Sequence, residues 1–130
     1  MIFTELVLEN FGAYADRNII NLRPENNGSI YPIILVGGMN GGGKTTLMDA
    51  MRLALYGHRA QCSSRNNISY SDFLTQSANN KITSGQVTNI ELSFEQIYDN
   101  HWQEFKIIRS WNKHPQDGKD SLSVIRERYL

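Results

Sequence analysis

A glycine-rich run near the start of the chain constrains its fold more than any other feature. Residues 38–46 read Gly-Met-Asn-Gly-Gly-Gly-Lys-Thr-Thr and satisfy the pattern G-x-x-x-x-G-K-[ST]. An apolar run at 31–36 precedes them, and apolar residues recur at helical spacing over 44–57. A strand, a loop and a helix in this order are the context that the pattern requires. We therefore predict an α/β fold in which a buried strand leads through this loop into a helix.

The residue types of the run suit the binding of a nucleoside triphosphate with Mg²⁺. Glycines let the backbone N–H groups of Gly41, Gly42 and Gly43 turn inward on a phosphate. The helix that follows adds the partial positive charge of its N-terminus. The ammonium group of Lys44 can reach the β- and γ-phosphates, and a threonine hydroxyl can ligate Mg²⁺. A glycine-rich turn that only connects two elements needs neither the lysine nor the paired threonines.

Composition and charge narrow the remaining classes of function. The 130 residues suit one domain, and their 13 basic and 13 acidic residues give a net charge of zero. No global attraction to nucleic acid or to an acidic membrane follows from such a balance. The apolar stretches are too short to span a bilayer, and the N-terminus lacks the pattern of a signal peptide. With a single cysteine, Cys62, an internal disulfide framework is excluded, so we expect a cytoplasmic protein without membrane partners.

The rest of the chain is rich in strand patterns. Gly57 is predicted to end the helix at 44–57, and a short helix is predicted to begin at 71–74. Short turns at 98–101 and 114–118 predict that the last three strands form an antiparallel meander. The predicted strands are 2–9, 17–22, 31–36, 87–97, 102–111 and 121–130.

Several short motifs resemble one class of ATPases. The glycine-rich run looks like the G-x-N-G-x-G-K-[ST]-[ST] loop typical of ABC and SMC-like ATPases, and Asn10-Phe11 at a strand end is similar to the SMC, RecF and SbcC class. Within that class the chain resembles the DndD family, the ATPases of bacterial DNA phosphorothioation systems. Beyond the loop, the likeness rests on Leu-Tyr-Gly at 55–57, Ser-Tyr-Ser-Asp-Phe-Leu at 69–74 and Arg-Ser-Trp at 109–111.

The resemblance implies the fold of an N-terminal lobe of an ABC/SMC-type P-loop ATPase head. Such a lobe is α/β, with a mixed sheet, an antiparallel β subdomain and one P-loop helix. Residues 1–130 would form one incomplete domain, because the Walker B acidic pair, the signature motif and the switch histidine lie C-terminal in the family. Leu-Ser-Phe-Glu at 92–95 lacks the signature glycine, and Gln96 lies between predicted antiparallel strands. We therefore expect no appreciable ATPase activity from this chain alone.

The resemblance also implies roles for the residues of the loop. The backbone of Gly41, Gly42 and Gly43 would hold the phosphates of ATP, and Lys44 would act as the catalytic residue on the β- and γ-oxygens. Thr45 would ligate Mg²⁺ and Thr46 would bind the α-phosphate. Asn40 would contact the γ-phosphate side of the loop.

One position departs from the pattern of the class. Repair ATPases often carry an arginine directly after Asn-Phe, where this chain has Gly12. That contact would be lost or supplied by Arg17, whose other interpretation is a surface arginine at a strand end.

The implied function is ATP binding and hydrolysis coupled to DNA engagement in DNA sulfur modification. The implied partners are the C-terminal half of the same head, a second head in a homodimer, other DNA sulfur-modification proteins, and DNA. Two alternatives remain open: a RecF/SbcC-like DNA-repair ATPase head, and a nucleotide-gated dimerisation module without hydrolysis.

Other candidates for chemistry have simpler interpretations. The three histidines lack metal-ligand spacing, and Trp102 and Trp111 are interpreted as packing residues. A local excess of positive charge comes from Arg59, Arg65 and Lys81. This charge either faces DNA or belongs to a solvated loop.

Overall fold

The architecture is taken from a computed structural model, which describes residues 1–23, 25–26, 29–30, 43–60, 62, 68–79, 86–112 and 121–129. Five long strands form one sheet with the spatial order β2-β1-β5-β6-β7, in which all neighbours are antiparallel. These strands are β1 (Ile2–Phe11), β2 (Tyr14–Asn21), β5 (Val87–Tyr98), β6 (His101–Asn112) and β7 (Ser121–Tyr129). The other elements are the two-residue strands β3 (Glu25–Asn26) and β4 (Ser29–Ile30), the helices α1 (Gly43–Tyr56) and α2 (Tyr70–Ser77), and a 3₁₀ turn (Gly57–Arg59).

The β5–β6 hairpin is defined by its turn residues. Asp99 and Asn100 both have positive φ, 55° and 63°, which is the backbone of a two-residue hairpin turn that matches the twist of the strands. The pairing of Ile97 with Trp102 follows directly, and the ladder then runs without a register shift to Val87. The predicted turn at 98–101 is therefore confirmed.

The β1–β2 connection is irregular, and here the predicted boundary was wrong. The strand predicted at 2–9 continues to Phe11, which pairs with Tyr14 across the turn. Asn10 takes up the irregularity with a φ of 54°, at a register shift between Glu9 and Phe11. Asparagine tolerates this left-handed conformation better than most residues do, so the strand bends instead of ending.

The two helices have identifiable local signals at their ends. Helix α1 ends one residue before Gly57, whose φ of 59° is the left-handed conformation that commonly terminates helices. Helix α2 has Ser69 as its N-cap, with the Ser69 hydroxyl accepting a hydrogen bond from the Asp72 amide at 3.1 Å. The predicted short helix is confirmed, but it begins at Tyr70 and extends to Ser77.

The core lies between one face of the sheet, hereafter the helix face, and the two helices. Leu6 and Leu8 of β1 pair with Leu92 and Ile90 of β5, and all four side chains are fully buried. Their alternation along each strand puts them on one face, against Leu53 and other buried residues of α1. Burial of each such side chain contributes about 1.5–3 kcal/mol to folding.

The opposite face of the sheet, hereafter the outer face, carries a network of charges centred on Glu91. The Glu91 carboxylate accepts hydrogen bonds from Arg17 Nη1 at 3.1 Å and Asn89 Nδ2 at 2.7 Å, and Lys106 Nζ lies 3.7 Å away. Burial raises the pKa of Glu91, but the hydrogen bonds from Arg17 and Asn89 and the two positive charges outweigh it and lower the pKa below 4.5.

The structure confirms a mixed α/β composition and contains both the helix predicted after the glycine-rich run and the predicted short helix. Two α-helices, α1 and α2, occur among the described residues. The apolar run predicted as a strand at 31–36 lies outside the described residues, so the mixed character of the sheet stays a prediction. Residues 92–95 lie within β5, in agreement with the predicted strand. Gln96, interpreted as lying between two strands, also lies within β5. In the part of the chain that the structure describes, no helix is long and apolar enough to cross a membrane.

Candidate functional site

Helix α1 begins within the glycine-rich run. Its first residue is Gly43, and Lys44 and Thr45 follow in its first turn. The first amides of a helix have no partner within the helix, so they are available to an acceptor outside it. Of the other predicted site residues, Thr46 is half-buried in α1, whereas Asn40, Gly41 and Gly42 lie outside the described residues.

The turn between β1 and β2 packs directly against Thr46. Gly12 has a φ of 56°, and a Cβ atom at this position would lie 2.8 Å from Thr46 Cγ2 and 3.4 Å from Thr46 Oγ1. A side chain at position 12 would therefore strain the backbone and displace Thr46. The turn therefore has little room for a side chain at position 12, where the sequence resemblance led us to expect an arginine.

Arg17 was the other candidate for the contact of that arginine. In the described structure its contacts are with residues of the outer face. Its guanidinium lies on the outer face, 3.1 Å from Glu91 Oε2 and 3.7 Å from Glu9 Oε2. The interpretation of Arg17 as a surface residue is therefore correct, but Arg17 lies within β2 and not at a strand end. Its contacts are those of an ion pair within the sheet.

Helix α2 is fastened to the same turn by backbone hydrogen bonds. The Gly12 amide donates to the Ser77 carbonyl at 2.6 Å, and the Asn79 amide donates to the Asn10 carbonyl at 2.8 Å. The Asn79 side chain adds a third bond, from Nδ2 to the Gly12 carbonyl at 2.8 Å. The turn and the C-terminal end of α2 therefore behave as one unit.

A cavity of about 240 Å³ lies between this unit and α1. Phe11 and Phe73, both buried, supply its aromatic part, and Gln76 supplies an amide. Apolar surface combined with a few polar groups is typical of sites for small organic ligands. The lining residues are Phe11 and Gly12 from the turn, Thr46 and Asp49 from α1, and Phe73, Gln76 and Ser77 from α2.

Asp49 is a site residue that the sequence interpretation missed. It follows Thr46 by three positions on α1, so both side chains face the same way and both line the cavity. Asp49 is 4% exposed, and its Oδ1 atom lies 3.5 Å from Arg52 Nη1. The signal in the sequence was a carboxylate on the otherwise apolar face of the predicted helix, where an acidic side chain requires partners.

The structure brings together three segments that carry the family resemblance. Arg109 Nε donates to the Ala54 carbonyl near the end of α1 at 2.9 Å, and its guanidinium packs over Gly57. Trp111 Nε1 donates to the Leu74 carbonyl of α2 at 2.9 Å. The motifs at 55–57, 69–74 and 109–111 are therefore parts of one packed arrangement.

The remaining candidates lie away from this cavity. Trp111 is 4% exposed and confirms its interpretation as a packing residue, but Trp102 is 42% exposed near the tip of the β5–β6 hairpin, so that interpretation was wrong for Trp102. Arg59 is exposed beside α1, whereas Arg65 and Lys81 lie outside the described residues. Within the described ranges, no group of three His, Cys, Asp or Glu side chains is arranged to hold a metal ion.

Comparison with known proteins gives one family match. A family model described as an AAA domain matches residues 5–128, which is nearly the whole chain. The match supports assigning the chain to a broad class of ATPases, the SMC/RecF-like ATPases. No curated protein matches the chain.

Proposed function

The chain belongs to the AAA domain family, and on that premise we propose that it binds ATP with Mg²⁺ at the start of α1. The observation that carries the proposal is the position of the helix start. Helix α1 begins at Gly43, inside the motif, and its first turn contains no acidic residue that would compete with an anion. The close approach of Gly12 to Thr46 brings a second backbone segment to the same place.

In this proposal the loop residues divide the contacts with ATP among them. The backbone amides of Gly41, Gly42 and Gly43 hold the phosphates, and Asn40 lies toward the γ-phosphate. Lys44 stabilises the charge of the β- and γ-phosphates. Thr45 would be the protein ligand of Mg²⁺, which when bound would neutralise part of the negative charge of the phosphates.

Thr46 connects the phosphate region with the cavity. We assign the α-phosphate to the Thr46 hydroxyl, and the nucleoside to the cavity that opens beside it. Phe11 and Phe73 offer apolar surface to a flat ring, while Asp49 and Gln76 offer hydrogen-bonding groups to its edges or to ribose hydroxyls. This assignment uses both the aromatic and the polar parts of the cavity.

The proposed function of ATP binding at this site is to support DNA sulfur modification. The resemblance to the DndD family at 55–57, 69–74 and 109–111 supports this role over that of a RecF/SbcC-like repair ATPase. Hydrolysis then requires the C-terminal half of the head and a second head, with DNA and the other sulfur-modification proteins as further partners. Catalysis of phosphoryl transfer in such sites is positioning and charge stabilisation, to which this chain contributes Lys44 and Thr45.

Binding is tested by calorimetric titration of the chain with a non-hydrolysable ATP analogue and Mg²⁺. We expect saturable binding at one site, and binding weakened about tenfold or more in Lys44→Ala, because a charge-assisted contact with phosphate is lost. Met48→Ala is the matched control, since Met48 lies on the same helix, is 45% exposed and does not line the cavity. Equal affinities for the wild type and Lys44→Ala would contradict the proposed site.

The role in DNA modification is tested in the source cell. Lys44→Ala is introduced into the native gene, and digested DNA is searched for phosphorothioate-linked dinucleotides by mass spectrometry. We expect them in the wild type and not in the variant. Their absence from the wild type would overturn the sulfur assignment and favour the repair ATPase. Their presence in both would show that ATP at this loop is dispensable for modification.

A further inference from the structure

Strand β6 runs beneath both helices that line the cavity. We propose that Arg109 and Trp111 of this strand are positioning residues, which hold α1 and α2 at the separation that the nucleotide site requires. The inference rests on the proposed function, because it concerns how the ATP site is kept in shape. Neither residue lines the cavity, so any effect on binding must act through the helices.

Arg109 holds the C-terminal end of α1. Its side chain is buried, and Nε donates to the Ala54 carbonyl at 2.9 Å. Carbonyls in the last turn of a helix lack partners within the helix and carry partial negative charge, so a cation there satisfies both needs. The same guanidinium lies only 2.9–3.1 Å from the place of a Cβ atom on Gly57, so the helix end fits it closely. The contact therefore restrains the C-terminal end of α1 relative to β6.

Helix α1 transmits this constraint to the proposed phosphate site. It has 14 residues, so its length is about 20 Å. Because the backbone hydrogen bonds of a helix make it stiff over this length, we expect a shift at Ala54 to displace Lys44 and Thr46 in its first turn. Small displacements of groups that bind a ligand strongly lower the affinity or the reaction rate.

Trp111 holds the other wall of the cavity. Two residues beyond Arg109 on the same strand, it points to the same face of the sheet. Its Nε1 atom donates to the Leu74 carbonyl of α2 at 2.9 Å, and its ring meets Phe11 edge to face at a centroid distance of 6.1 Å. Since α2 and the β1–β2 turn are joined by their own hydrogen bonds, Trp111 fixes that unit relative to the sheet.

One strand therefore connects the two walls independently of any ligand. Arg109 and Trp111 occupy neighbouring inward positions on β6, and Arg109 pairs with Ile90 in the middle of the core. The distance between α1 and the unit of α2 and the turn is consequently set by two side chains that are themselves buried. This arrangement keeps the site preorganised, which lowers the cost of ordering it when ATP binds.

The test compares Arg109→Met, Arg109→Lys and Trp111→Phe with the control Ser110→Ala. Methionine keeps the length of Arg109 without its donors, lysine keeps its charge, and phenylalanine removes only the indole N–H group and part of the ring. Ser110 lies between the two residues, and its hydroxyl donates to Asn89 Oδ1 on the outer face at 2.7 Å. The control therefore removes a hydrogen bond from the same strand without touching a helix.

Two quantities are measured for each protein: the dissociation constant for a non-hydrolysable ATP analogue with Mg²⁺, and the stability by denaturant unfolding. Titrations are run where each variant is at least about nine-tenths folded, so unfolding alone changes the apparent dissociation constant by only about one tenth. We expect binding about tenfold weaker in Arg109→Met, partly restored in Arg109→Lys, and about threefold weaker in Trp111→Phe. Ser110→Ala should bind as the wild type does.

The outcomes separate this inference from the proposed function. No binding by the wild type would overturn the proposed function and the inference together. If the wild type binds and Lys44→Ala does not, but the dissociation constants of Arg109→Met and Trp111→Phe equal that of Ser110→Ala, the residues have a structural role only and the inference is wrong. Should Arg109→Met fail to fold, Arg109→Lys and Trp111→Phe decide the question by the same criterion.

Discussion

The two faces of the sheet use charge in opposite ways. On the helix face, Arg109 is 8% exposed and donates to a helix carbonyl. On the outer face, the side chain of Arg17 is 48% exposed and pairs with Glu91 and Glu9. A buried charge must be satisfied by fixed partners, whereas an exposed ion pair is weakened by water and salt. We infer that charges on the helix face define geometry and that those on the outer face adjust stability and its dependence on pH.

The largest expected effect tests the contribution of packing on the helix face. Leu53 of α1 is fully buried in the core, and Leu53→Ala should lower the free energy of unfolding by about 2–5 kcal/mol, because it removes apolar contacts and leaves a cavity. The outer-face control is Ile19→Ala, at a residue that is 63% exposed, with an expected change within about 0.5 kcal/mol. Denaturant unfolding measures both. Similar losses at the two positions would contradict the difference between the faces.

A smaller effect tests the close approach of the β1–β2 turn to α1. Gly12→Ala should lower the free energy of unfolding by about 1–3 kcal/mol, because alanine resists the φ of 56° and its Cβ would meet Thr46. It should also weaken binding of the ATP analogue, since Thr46 is displaced. Ala13→Ser, at the exposed neighbouring position in the same turn, serves as the control in both the unfolding and the calorimetric assay. Unchanged stability and affinity in Gly12→Ala would show that the turn accommodates the alanine Cβ atom without displacing Thr46.

The smallest effect concerns the outer face and its dependence on pH. The lowered pKa of Glu91 means that its carboxylate stabilises the fold above pH 4.5 and that this stabilisation is lost as the pH falls below that value. Glu91→Gln should therefore cost about 1 kcal/mol at neutral pH, and the difference from the wild type should shrink on acidification. Unfolding is measured between neutral and acidic pH. A constant difference would mean that the carboxylate charge contributes nothing to stability.

The predicted helices and strands followed from local signals. The helical spacing of apolar residues and Gly57 predicted α1 to within one residue at each end, because both signals act within a few residues of the chain. The turn at Asp99 and Asn100 likewise fixed the β5–β6 hairpin. The strand predicted to end before Asn10 shows the limit of such signals. There the pairing of Phe11 with Tyr14 outweighed the tendency of Asn-Phe-Gly to form a break.

The contacts that shape the candidate site could not be predicted in this way. The sequence interpretation recognised Gly12 only as a missing arginine, and it included Arg109 and Trp111 only as part of a resemblance. The structure shows that Gly12 lies against Thr46, that Arg109 donates to a carbonyl near the end of α1, and that Trp111 donates to a carbonyl of α2. Such contacts leave no periodic pattern in the sequence, because each depends on where two separate elements meet.

The sequence by itself determined the elements of this protein and the chemical nature of its loop. Residues close in sequence decide whether a segment is helical or extended, and the run at 38–46 holds the residue types that a phosphate requires. Only the tertiary structure decided which segments form the cavity beside α1. The bond from Arg109 to Ala54 spans 55 positions, and the bond from Trp111 to Leu74 spans 37. The order of strands in the sheet brings such distant residues together, and that order is a property of the whole chain.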